Sequence, residues 1–397
     1  MTRAVYLDNA ATTPLHPQAL EAMLPYLRES YGNPSATYGL AKAAGDAVEA
    51  ARATVASIFG CRPAEVIFTS GGTESINSAI KGVAFQQKKA RAGNHIVTST
   101  IEHHAVLHAC QYLERFGFEV TYVPVDREGI VDPGAVAAAV GERTALVSIM
   151  TANNEVGVIE PVAEIAAAVK VRGKALGKRI PFHTDAVQAP NSLPLRFAAD
   201  GIDLASLSAH KFRGPKGAGV LYMRRGVPFL AQQNGGGQER QRRAGTENVA
   251  GIVGTAEALR LTSEGLGADR ARIASLAARL SDGIMRAVPG AVLNGHATQR
   301  LANNVSISFE GADVRDLLAD LDAAGIACSA GAACGATTIE PSHVLLALGL
   351  PLELAAATLR FSIGHETTAD DIDHVLATLP AIVARARDKH PLWAAAG

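Results

Sequence analysis

The sequence is short of several things, and each shortage removes a class of function. Cysteine is scarce: Cys61, Cys110, Cys328 and Cys334 are the only four in 397 residues, and no two form a C-x-x-C pair. A disulfide framework or a structural zinc site is therefore disfavoured. An excess of one charge is also missing. Lys+Arg number 37 against 38 Asp+Glu, a formal net charge of -1, so there is no broad positive field to draw nucleic acid or anionic membrane. No run approaches the ~18 uninterrupted apolar residues of a membrane span, and the opening MTRAVYLDNAATTP lacks the apolar core of a signal peptide. The expectation is a cytoplasmic protein with no nucleic acid and no membrane among its partners.

What is present is a long globular chain, 48% hydrophobic and 19% charged, with length for about two or three domains. Strand candidates fall at 66–70, 95–99, 119–125, 145–150, 181–187, 204–210 and 219–223, with helix-like pieces such as 75–90 and 162–175 between them. Continuous apolar strands alternating with helices predict an α/β domain with a mostly parallel, seven-stranded sheet covered on both faces. Ligands of such sheets sit beyond the carboxyl ends of the strands. After NGGGQERQRRAGTEN (234–248), with a turn expected at glycines 235–237, the character changes. Helices are expected at 251–263, 268–287 and 369–387, with short strands at 304–309 and 359–364. The expected division is a large domain over 16–260 and a smaller α+β domain from 1–15 and 261–397.

Four motifs sit at predicted strand ends. FTSGGTES (68–75) runs strand, glycines, helix; free amides and the positive end of the helix dipole suit a phosphate near Gly72 and Thr73. It fits neither the Walker A pattern nor GxGxxG, which disfavours an NTPase or a nicotinamide enzyme. HTDAVQ (183–188) ends a buried strand on Asp185, costly unless paired, as with a protonated heterocyclic nitrogen or in a cap or salt bridge. SLSAHKFRGPKG (206–217) places Lys211 at a strand end, where desolvation lowers its pKa and makes it a Schiff-base nucleophile; Lys216, in GPKG, reads as a solvated turn. TIEHHAV (100–106) opens a helix with histidines that could stack on a planar cofactor, move protons or serve structure alone. A fifth stretch, SAGAACGATTIEP (329–341), sets Cys334 among small residues, as an inert filler or as a nucleophile on a mobile segment.

With these motifs the chain resembles the cysteine desulfurases of the NifS/IscS type, pyridoxal 5'-phosphate (PLP) enzymes of fold type I within the class-V aminotransferases. The resemblance runs in order through YLDNAATTP (6–14), GNPS (32–35), FTSGGTES, EHHAV, NNEVG (153–157), HTDAVQ, SAHKFRGPKG, RRAGTEN (242–248), EPSHVL (340–345) and LRFSIG (359–364). It implies that Lys211 carries PLP covalently, Asp185 pairs with the pyridine nitrogen, Gln188 hydrogen-bonds the ring hydroxyl and His103 stacks on the ring. Gly72, Thr73, Ser208 and His210 would hold the phosphate, and Thr246 would reach the phosphate of the other subunit of a homodimer. Asn154, beside the cofactor, and Arg360 would hold the carboxylate of L-cysteine. Cys334 would accept the sulfur, assisted by His103, and donate it to an iron–sulfur scaffold protein or another acceptor. No intrinsic metal is implied, beyond a cluster that Cys334 could share transiently with a scaffold. Cys328 reads as structural, with a persulfide-trapping role as the sharper alternative. Other class-V PLP enzymes, such as a selenocysteine lyase, keep the cofactor residues, and most of them do not need the thiol.

Overall fold

The structure, a computed structural model, describes residues 4–331 and 341–389. A short strand, β1 (Val5–Tyr6), precedes the main sheet. That sheet is built from β2 (Val66–Thr69), β3 (His95–Ser99), β4 (Glu119–Val123), β5 (Thr144–Ser148), β6 (Phe182–Asp185), β7 (Leu204–Ser208) and β8 (Gly219–Met223). Its order is β2-β8-β7-β6-β5-β3-β4; only β8 runs against its neighbours, β2 and β7, and every other pairing is parallel. All residues of β5, β7 and β8 are buried, which is why their sequences read as unbroken apolar or small runs. The predicted strand 204–210 stops at Ser208, where Ala209–Lys211 tighten into a 3-10 turn.

Four apolar clusters form among the described residues, and two of them frame the molecule's two larger sheets. The first packs Phe59, Phe182, Phe197, Phe212 and Tyr222 against one face of the main sheet. The second surrounds an antiparallel sheet of β9 (Ala291–Leu293), β10 (Asn304–Phe309) and β12 (Thr358–Ser362), ordered β12-β10-β9, and includes Leu7, Phe309, Leu359 and Phe361. β11 (Ile326–Ala327) pairs in parallel with β1 beside it.

One helix, Val249–Ala287, joins the cores. Sequence reasoning expected two helices, broken near residue 265; the structure has a single helix of 39 residues. Gly265 and Gly267 each cost about 1 kcal/mol in helix propensity, but both flanks are anchored. Ile252 and Leu259 lie in the first core, while Ile273, Leu280 and Ile284 lie in the second. Tertiary burial outweighs the local penalty.

The segment after β1 stitches the same two bodies together. Asn9 donates from Nδ2 to the Ser362 carbonyl at 2.9 Å, and Thr13 donates from Oγ1 to the His210 carbonyl at 2.8 Å. A single short run of chain therefore touches both β12 and the turn that carries Lys211.

Candidate active site

The carboxyl ends of β2, β3, β5, β6 and β7 open into a cavity of about 210 Å³. Gly72 and Thr73 begin the helix Gly72–Lys89 after β2, and His103 caps the helix His104–Glu114 after β3. Asn154 follows β5, Asp185 ends β6, and Ser208 ends β7 just before His210 and Lys211. All of these residues line the cavity, with Gln188, and Arg360 enters it from β12 of the second core. The sequence reading thus names residues that the fold brings together, with two exceptions. Thr246 is exposed and lines a separate recess with Arg243 and Gly217. Cys334 lies outside the described residues.

Lys211 donates from Nζ to the Ala10 and Ala11 carbonyls, at 2.6 and 2.7 Å. Burial, and after it the Arg360 charge, pull its amine down to about 8. Asp185 accepts from the Val187 amide at 2.9 Å, and burial raises its carboxyl to about 6. Gln188 donates from Nε2 to the Ala10 carbonyl at 3.0 Å, so one backbone oxygen positions both side chains. His103 accepts from the Ala105 amide through Nδ1 at 3.0 Å, and burial, then Lys211, lower its pKa. A neutral ring held this way carries its proton on Nε2. His210 shares a 3.1 Å hydrogen bond with Thr12, and burial pulls it down to about 4.

The glycine turn is tight for a reason. A Cβ on Gly72 would stand 2.9 Å from Val187 Cγ2 and 3.3 Å from Ser208 Cβ, so only a bare backbone leaves room there. Gly219 of β8 sits directly behind it, and a Cβ at that position would come within 2.6 Å of Gly71 Cα. Gly72, Thr73, Ser208 and His210 also border a shallower cavity, where Lys216 joins them. The lysine read from sequence as a solvated turn therefore borders the same recess as the glycine turn.

Arg360 is held before any substrate arrives. It donates to Asp8 Oδ1 at 2.8 Å and to the Asn154 carbonyl at 2.9 Å, while its buried Nε has no partner among the described residues. Behind His103, the fully buried Glu102 accepts from Ser99 and Met150, at 2.7 and 2.9 Å, and burial raises it to about 8. The carbonyls of residues 10 and 11, and the Asp8 and Glu102 carboxylates, were not singled out by sequence reasoning. Backbone acceptors leave no residue-type signal, and Asp8 meets Arg360 across 352 positions. The quoted motifs YLDNAATTP and EHHAV were the available signals for both.

Among the described residues the thiols are quiet. Burial pushes Cys61 and Cys328 up to about 12 and Cys110 higher still, so none is a thiolate near neutral pH. Cys328 packs against the second core, as expected of a structural thiol.

Beside the site, residues 239–241 form a left-handed turn. Glu239, Arg240 and Gln241 have φ of 45, 57 and 62°, and none is glycine. Each left-handed non-glycine residue costs roughly 1–2 kcal/mol. The chain bends at glycines 235–237, where a turn was expected, and the left-handed turn follows directly. Glu239 is gripped in return: Arg52 Nη1 and Nη2 donate to its two oxygens at 2.8 and 2.9 Å, and both side chains are 3% exposed.

A cavity at the strand ends with a depressed lysine, a buried aspartate and a glycine-floored anion cup defines a PLP site, and the class-V aminotransferase family model matches residues 5–375, so the chain belongs to that family. PLP is its cofactor, and the residues fit it: the Gly72 cradle would be filled by a Cβ, and Asp185 is a buried acid that forms no ion pair among the described residues. Within the family the chain stands with the cysteine desulfurases. It is 48% identical to cysteine desulfurase IscS of Methanosarcina thermophila over 390 residues, 98% of this chain and 94% of that protein. Among solved structures, a NifS-like protein superposes with a TM-score of 0.90 at 39% identity, covering 96% of this chain and 100% of that one. A second, SspA in complex with cysteine, gives 0.79 at 34% identity over 91% and 99%.

Proposed function

We propose that this cavity removes sulfur from L-cysteine, giving L-alanine and a persulfide on Cys334. The observation that carries the reading is convergence: Lys211, Asp185 and the Gly72–Thr73 cup share one cavity with Arg360 and Asn154. Bound PLP would supply an electron sink for the charge left at the substrate Cα. Lys211 Nζ, with a pKa near 8, would hold the cofactor and then move the Cα proton. Asp185, ionised at neutral pH, would keep the pyridine nitrogen protonated. Gly72, Thr73, Ser208 and His210 would bind the phosphate, Gln188 would hydrogen-bond the ring hydroxyl, and His103 would lie over the ring. Arg360, whose side chain borders the cavity beside Asn154, would bind the substrate carboxylate.

In the transfer, the Cys334 thiolate attacks the substrate sulfur; an S–S bond forms, the C–S bond breaks, and the electron pair returns to the carbon fragment that becomes alanine. His103 would have to take a proton at Nδ1, surrendering its helix cap, to act as the base for that thiol. Its Nε2 proton makes it a donor first. The exposed Thr246 is read as reaching the phosphate of a second copy, which implies a homodimer. A cytoplasmic iron–sulfur scaffold or another acceptor then takes the sulfur. No helix among the described residues is long and apolar enough to cross a membrane.

The test is alanine and sulfide release from L-cysteine under reductant, for native protein and Cys334→Ala, both checked for the visible absorbance of bound PLP. The variant should keep its cofactor and lose sulfide release by at least about a hundredfold. Equal activity would make Cys334 a loop filler and favour a lyase or an aminotransferase.

A further inference from the structure

The left-handed turn at 239–241 and the buried pair beneath it serve nothing in the chemistry above, yet they occupy a strategic place. Glu239 Oε2 accepts from the Phe68 amide at 3.2 Å, and Arg52 Nη1 donates to the Val66 carbonyl at 2.8 Å. Both backbone groups belong to β2, the edge strand that leads directly into the glycine cup. Three residues after the turn's first member, Arg242 donates to the Ala64 carbonyl at 2.7 Å. Arg243 then pairs with Glu74 at 2.9 Å, and Glu74 also accepts from the Ser70 amide at 2.7 Å. Glu74 lies in the first turn of the phosphate-cup helix. The chain thus passes from a strained turn, along the outside of the cup, to the exposed Thr246.

We propose that Arg52 and Glu239 are positioning residues: their buried pair holds residues 239–241 in the left-handed turn, and so sets the 242–248 segment in the pose that meets a second copy of this chain. The inference rests on the homodimer reading above. Its logic is energetic. A left-handed run of three non-glycine residues does not persist unless its surroundings over-determine it. Here the over-determining contact is a forked ion pair removed from water, whose disruption leaves the buried Arg52 with only the more exposed Glu49, 3.0 Å from its Nε, as acidic partner. A segment that only had to close a loop could use its neighbouring glycines, Gly235 to Gly237, for the reversal. Placing the reversal on Glu239 instead couples the turn to β2 and the cup.

The experiment compares the native holoenzyme with Glu239→Gln, by sedimentation over a dilution series and by the rate at which PLP is lost on dilution. The native protein should sediment as a dimer. In Glu239→Gln the half-dissociation concentration and the PLP loss rate should both rise by at least about tenfold. Adding Arg240→Gly and Gln241→Gly to that variant relieves the left-handed cost and should restore both to within about threefold of native. If Glu239→Gln does not fold, Arg52→Lys keeps the charge without the fork and should show the same two shifts at smaller amplitude. A variant that melts earlier but dimerises and retains PLP as the native protein does would overturn the positioning role and leave the homodimer reading intact. A native protein that sediments as a monomer at every concentration would overturn both.

Discussion

Asp185 shows most directly how a residue's environment carries its function. Its carboxyl is raised from 3.8 to about 6, chiefly by burial. Between about pH 4 and 6 the apo protein therefore holds a proton that the unfolded chain has already lost, so stability falls as pH rises through that window and stays lost at pH 7. Asp185→Asn keeps an oxygen for the Val187 amide and removes the charge. Denaturant melts of the apo variant should show it more stable than native at pH 7, by up to about 3 kcal/mol, with the difference gone below pH 4. Equal stabilities at pH 7 would remove the buried-carboxylate account. The same variant should lose at least about a hundredfold in activity, because nothing then anchors the pyridinium. Asp185 was legible in the sequence because an aspartate closing an apolar strand is costly unless paired, and the neighbouring motifs favoured a ring nitrogen over a cap or a salt bridge. Glu102, more deeply buried, was not, because EHH draws the eye to its histidines, and its partners Ser99 and Met150 come from β3 and from the segment after β5.

At the scale of elements, the junction of β2, β8 and the cup leaves little room for change. β8 runs antiparallel between β2 and β7, and Gly219 lies opposite both Thr69 and Ser208. Gly219→Ala would drive a methyl group into the Gly71 backbone, which cannot yield as a side chain can. Overpacking of this kind costs about 1–3 kcal/mol, and the displaced atoms form the cup, so PLP affinity should drop by about tenfold or more. Gly141→Ala, with nothing within 4 Å, is the control and should change neither melting nor PLP binding. If both variants bind PLP equally, the cup does not depend on β8. The sheet itself was readable from its apolar runs. The fusion of two expected helices into Val249–Ala287 was not, because local propensity says nothing of two cores waiting at either end. The left-handed turn was equally hidden, since sequence points to glycine and the strain is borne by Glu239, Arg240 and Gln241.

Across the whole molecule, the cavity takes Arg360 from β12 and its other named residues from the ends of the main sheet's strands and the segments that follow them. Cofactor binding should therefore stabilise both cores together. At a PLP concentration a hundred times its dissociation constant, unfolding should cost about 2.7 kcal/mol more than in the apo protein. Heat unfolding followed by calorimetry should show one transition moving upward; a second transition indifferent to PLP would mean that the cores melt independently. The stitching segment also sets a schedule. Asn9 leaves the ribosome early, but its partner Ser362 follows 353 residues later. At about 5–20 residues per second, that interval is on the order of tens of seconds. Until β12 arrives, the segment whose carbonyls restrain the Lys211 amine lacks its contacts with Ser362. The reactive pocket is thus among the last features a nascent chain can complete, after nearly all of the scaffold around it has been synthesised.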